Sequence, residues 1–111
     1  MDSKRYEAVF CIVNAGVSDT AMDAARKAGA GGGTVLKGRG TAAREAESLF
    51  GIRIQPEKEL LMLLVPSDIR DGVLRALYDV AGLDSAGQGI AFSLPVERAI
   101  GLSGHANEEE K

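Results

Sequence analysis

Tyr6 to Val13 is the most constraining stretch of the chain, because it is apolar on both faces a strand would present. Tyr6, Ala8, Phe10 and Ile12 fall on one face, and Val9, Cys11 and Val13 on the other. Its β-branched and aromatic content, and the turn-forming Asn14-Ala15-Gly16 that bounds it, predict a buried strand. Glu59 to Val65 is apolar after its first residue. Its short length and the stop at Pro66 predict a second strand of the same two-sided kind. Strands of this kind need cover on both faces. At 111 residues the chain is one ordinary domain, and only two segments read as helices.

The first helix is expected over about Asp19 to Ala28, with Ser18 as N-cap, Ala21, Ala24, Ala25 and Ala28 inward, and Gly29 as the stop. After Gly31-Gly32-Gly33, Thr34 to Lys37 reads as a short strand closed by Gly38-Arg39-Gly40. Thr41 to Pro56 reads as a long, mobile loop. The second helix opens at Pro66-Ser67-Asp68 with Ser67 as N-cap, and Ile69, Val73, Leu77 and Val80 form its apolar stripe up to Gly82. Ile90, Phe92, Leu94 and Val96 alternate with Ala91, Ser93 and Pro95, which predicts a half-buried strand with Pro95 near an edge or its end.

The order strand, helix, strand, loop, strand, helix, strand predicts an α+β, ferredoxin-like βαββαβ fold. Its four antiparallel strands carry both helices on one face, and the long loop joins strands two and three. Two helices cover one face only. The other face is therefore expected to be covered by further copies of the chain, making a homo-oligomer. Residues 1–105 are read as a single domain, and 106–111 as a charged, disordered tail.

Composition narrows the function. A net charge of -3 argues against nucleic-acid binding, which needs a basic face. A single cysteine, Cys11, excludes an intramolecular disulfide and a Cys-rich zinc site, and the one histidine, His105, lies in the tail. No metal or resident cofactor is expected. There is no apolar run of 18 residues or more and no signal-peptide core, so the expected compartment is the cytoplasm, without membrane insertion.

Glycine is in excess, at 14 residues, and nine of these fall within 29–40 and 82–89. Gly-rich turns present amide N–H groups to anions. A P-loop is excluded because Lys37 is followed by Gly38 and Arg39. A dinucleotide fingerprint is excluded because Gly29 to Gly33 follow a helix and precede a strand, so these residues are read as turn-making. Gly38-Arg39-Gly40, a cation between glycines at the mouth of a long loop, is the stronger candidate for ligand contact.

Residues 25–35, Lys37-Gly38-Arg39-Gly40, the long loop, Pro56-Glu57-Lys58, Leu64 to Ile69, Gly87 to Phe92 and Val96 to Ile100 together resemble the PII signal-transduction (nitrogen regulatory) family. The resemblance runs from Tyr6 to about Ser103. It implies a homotrimeric signalling regulator, not an enzyme, with its sheets packed inward and an adenine nucleotide held between subunits. The matching positions are Thr34, Gly38, Arg39, Gly40, Lys58, Gly87, Gln88 and Gly89, with Arg98 as a substitute cation. Typical members carry basic residues where this chain has Ile90, Gly101 and Ser103. The expected effector is thus one of ATP, ADP, AMP or cyclic AMP, with the less charged favoured; an empty nucleotide cleft is the other outcome. No counterpart of the glutamine that binds magnesium-bridged 2-oxoglutarate stands in Thr41-Ala42-Ala43, so that metabolite is not expected to be sensed.

The loop carries Arg44, Leu49, Phe50, Ile52 and Arg53, apolar anchors interleaved with cations, as at interface hot spots. The resemblance implies a membrane transporter or a metabolic enzyme as the partner. Two alternatives stand beside this reading. Arg39 in a Gly-rich segment also suits a small ferredoxin-like hydrolase of the acyl phosphate type, and a purely structural trimeric scaffold needs no ligand.

Overall fold

The two-sided strands lie at the centre of the sheet. In the computed structural model, which describes residues 5–40, 57–80 and 89–102, the elements are β1 (Tyr6–Asn14), α1 (Ser18–Lys27), β2 (Gly33–Arg39), β3 (Glu57–Pro66), a 3₁₀ turn (Ser67–Ile69), α2 (Arg70–Val80) and β4 (Gly89–Val96). The sheet order is β2-β3-β1-β4 and every pair is antiparallel. This is the expected ferredoxin-like arrangement.

One sheet face meets the helices. Val9, Cys11 and Val13 of β1 and Leu61, Leu63 and Val65 of β3 are buried there against Ala21, Met22 and Ala25 of α1 and Val73 and Leu77 of α2. Full burial of a side chain such as Leu61 or Leu77 contributes about 1.5–3 kcal/mol. The small alanine face lets α1 lie close to the sheet. On the opposite face Leu36, Ile90, Phe92 and Leu94 are 40–55% exposed, and Phe10 and Phe92 stack across β1 and β4 with ring centroids 5.3 Å apart.

Several boundaries differ from expectation. β2 runs on through Gly38 and Arg39, which pair with Lys58 and Glu57, so β3 also begins two residues early. Gly38-Arg39 is therefore ladder rather than loop, because the partner strand supplies hydrogen bonds that side-chain propensity does not predict. Ser18 is the first residue of α1 and not its cap. The cap position is Val17, without a side-chain cap bond. Ser67 does not cap α2 either. A 3₁₀ turn intervenes, and the Ser67 hydroxyl donates to Glu7 Oε2 at 3.4 Å. Val80 is exposed, since the buried stripe of α2 ends at Leu77.

Gly29 does stop α1. Its φ of +113° lets its N–H reach the Arg26 carbonyl while the Ala30 N–H reaches that of Ala25, the paired bonds of a Schellman ending. Gly33, read as turn-making, instead opens β2 where the chain passes close to Leu63 and Met22. Pro95 lies in the edge strand β4 next to its last residue, as predicted. The expected loop 41–56, the end of the second helix at Gly82 and the tail lie outside the described residues.

Candidate functional site

The start of β3 gathers the chemistry. Glu57, Lys58 and Glu59 sit beside the end of β2 and the β1–α1 turn, and they line a groove of about 470 Å³ with Ala15, Lys37, Gly38 and Arg39. Side chains alternate along β3, so Lys58 shares a row with Gly38 and Asn14 across three strands. Lys37 opposite Glu59 and Arg39 opposite Glu57 form cross-strand pairs of opposite charge.

All three β3 residues also grip the β1–α1 turn. The Glu57 carbonyl accepts from Ala15 N–H at 3.1 Å, Lys58 Nζ donates to Asn14 Oδ1 at 2.6 Å, and Glu59 Oε1 accepts from Gly16 N–H at 3.1 Å and Ser18 N–H at 3.2 Å. Glu59 thus satisfies the amino end of α1, which Val17 cannot do. It supplies an acceptor and a negative charge where the helix dipole favours both. The Ser18 hydroxyl chiefly holds the Glu59 carboxyl below its ordinary range. Partial burial opposes this, while the Ser18 and Gly16 amides and nearby Lys37 add to it.

Gly40 completes this arrangement. A Cβ there would stand 2.9 Å from Lys58 Cε and 3.1 Å from its Cγ, so the bare glycine lets the lysine stem lie against the backbone. Of the residues expected to contact an effector, Gly38, Arg39, Gly40 and Lys58 are brought together. Gly89 lies near the same end of the sheet, pairing with Val13, but three strand spacings from β2, roughly 14 Å. Thr34 is four residues back along β2, in a separate concavity of about 620 Å³ with Phe10, Met62 and Leu102. Arg98 follows the opposite end of β4, where Val96 pairs with Tyr6. Gly87, Gln88 and the partner-loop residues Arg44, Leu49, Phe50, Ile52 and Arg53 lie outside the described residues.

Compared by sequence, the chain matches no family model and no curated protein. Compared by structure, it is similar to Arabidopsis thaliana PII bound to citrate, at 28% identity and a TM-score of 0.64, over 86% of this chain and 79% of that one. Its structural neighbours are thus PII and PII-like signalling proteins, which supports a divergent PII-like member. Two further PII-like proteins share its fold. CPII, a nitrogen regulatory PII-like protein of Thiomonas intermedia with ADP, AMP and bicarbonate bound, is 17% identical with a TM-score of 0.61 over 86% and 97% of the two chains. A PII-like signalling protein of Thermus thermophilus is 18% identical with a TM-score of 0.63 over 86% and 90%. A Bacillus cereus protein related to NIF3 carries the same fold at 14% identity and a TM-score of 0.68. The match covers 88% of this chain, which spans 27% of that protein's length.

Sequence reasoning missed Asn14 and Glu59 as parts of the site. Asn14 reads as a turn former and Glu59 as the polar start of a strand. Their partners lie 44 and 41 residues away for Lys58–Asn14 and Glu59–Ser18, so no local pattern announces them. Among the described residues, no helix is long and apolar enough to cross a membrane, and no group of three or more His, Cys, Asp or Glu could hold a metal.

Proposed function

We propose that this chain is a cytoplasmic, homotrimeric PII-like regulator. It binds a small adenine nucleotide in clefts between its subunits and controls a transporter or metabolic enzyme through residues 41–56. The observation that carries the reading is the groove at the base of that segment, where the Gly38 and Gly40 backbone, Arg39 and the Lys58 ammonium converge. The open, apolar sheet face supports assembly, since a monomer would leave Leu36, Ile90, Phe92 and Leu94 in water. Assembly also accounts for Arg98 and Gly89, which serve the groove of a neighbouring subunit rather than their own.

The adenine nucleotides in the CPII structure support that ligand class. A low-charge member, AMP or cyclic AMP, suits this chain better than a triphosphate, because Ile90 and Gly101 supply no cation and Glu57 and Glu59 offset Lys37 and Arg39. The described lining offers two ammonium groups, a guanidinium and two carboxylates but no thiol, hydroxyl or imidazole, which favours binding over nucleophilic catalysis. Isothermal titration with ATP, ADP, AMP and cyclic AMP tests the proposal. At least one nucleotide should bind, and Lys58→Ala should weaken it by roughly tenfold or more, the worth of one charge-assisted hydrogen bond. Absence of binding by all four retires the sensor reading.

A further inference from the structure

Lysine is a poor anchor unless something holds it. Its four-carbon stem is flexible, and immobilising such a side chain on binding costs about 0.5–1.5 kcal/mol. Lys58 is already held at both ends of its stem. Beneath it lies the side-chain-free Gly40, and at its tip Nζ donates to Asn14 Oδ1 at 2.6 Å. An ammonium has three donors and the amide oxygen is neutral. The contact with Asn14 therefore fixes the head group, leaves its full charge in place and leaves donors for a second acceptor.

We infer that Asn14 is a positioning residue for effector binding. Together with Gly40 it pre-organises the Lys58 ammonium at the groove mouth for an anionic ligand, an inference that rests on the groove being the effector site. An amide suits this task and a carboxylate does not. Asp at position 14 would hold the head group as well but would neutralise it, so the site discriminates between two residues of nearly equal shape. The same contact belongs to the grip of β3 on the β1–α1 turn, so a ligand drawing on Lys58 pulls on the strand that emerges from residues 41–56.

Titration of AMP and ADP against wild type, Asn14→Ala, Asn14→Asp, Gly40→Ala, Lys58→Ala and the Asn14→Ala/Lys58→Ala pair decides the matter. Asn14→Ala should weaken binding about 3- to 10-fold, and Asn14→Asp should weaken it further. Gly40→Ala should weaken it by displacing the stem while Asn14 and Lys58 remain. In the Lys58→Ala background, Asn14→Ala should have almost no further effect. Full additivity of the two losses, unchanged binding in Asn14→Ala, or tighter binding there overturns the inference. Failure of the effector reading is distinct, because wild type itself then binds neither nucleotide and the inference falls with it. Circular dichroism confirms that each variant is folded.

Discussion

Replacing Gly33 by alanine adds one methyl group where, among the described glycines, a Cβ would meet its neighbours most closely. The new Cβ would lie 2.5 Å from Leu63 Cδ2, 2.5 Å from the Met62 carbonyl oxygen and 2.9 Å from Met22 Cε. The two side chains can rotate away, but the Met62 oxygen belongs to the backbone of β3 and moves only with the β2–β3 ladder. Overpacking of this kind costs about 1–3 kcal/mol. Restricting the unfolded chain by the same substitution returns about 0.4–1 kcal/mol. The two ranges leave a net loss of up to about 2.6 kcal/mol, about 1.3 kcal/mol at their centres, and the central figure lowers Tm by roughly 5–10 °C in a domain of this size. Gly72 is the matched control, since it lies in α2, nothing stands within 4 Å of its Cβ position, and its φ is not left-handed. Gly72→Ala should raise Tm by roughly 2–8 °C. The assay is thermal unfolding by circular dichroism at one protomer concentration, because assembly makes Tm concentration-dependent. If Gly33→Ala exceeds wild type in stability, the close approach of β2 to β3 is wrong.

Three further outcomes follow from the same geometry. The Glu59 carboxyl titrates below its ordinary value when folded, so its contribution is complete above about pH 4.3 and is lost as pH falls through the folded value. The Tm gap between wild type and Glu59→Gln should therefore be widest near pH 7 and close at strongly acidic pH. Cys11 is fully buried and its thiol is pushed up to about 11 by burial, so it should resist a thiol reagent at pH 7 in native buffer and react at once in denaturant; rapid native labelling would contradict its placement. Leu94→Lys puts a charge in the open sheet face, and if the protein is the proposed trimer, light scattering should shift from about 35 kDa, three times 11.6 kDa, toward the mass of one chain. An unchanged mass would remove that face from the interface.

The element order and the two-sided strands were legible because hydrophobic alternation reports burial directly. Tyr6 to Val13 needed no partner to be recognised. Gly38 and Arg39 were misread because glycine punctuates a sequence locally, whereas an edge strand continues for as long as its neighbour offers hydrogen bonds. Ser18 and Ser67 looked like caps by residue type. Their positions follow instead from contacts across the fold, Glu59 satisfying the first helix and Glu7 drawing the second serine away. The groove was half visible: Lys58 and its glycines stood out through the family resemblance, while Asn14 and Glu59 act on residues more than forty positions distant and bear no mark of it.

The pairing of Arg39 with Glu57 has a consequence for engineering and for divergence among such chains. These residues face each other across a hydrogen-bonded ladder, so the ends of the intervening segment are pinned as neighbours whatever lies between them. Closing a flexible connection costs only about 0.6 kcal/mol more for each doubling of its length. A connection between these two ends can therefore be lengthened or shortened with little effect on the sheet, so the distance along the chain between β2 and β3 is free to vary at low cost.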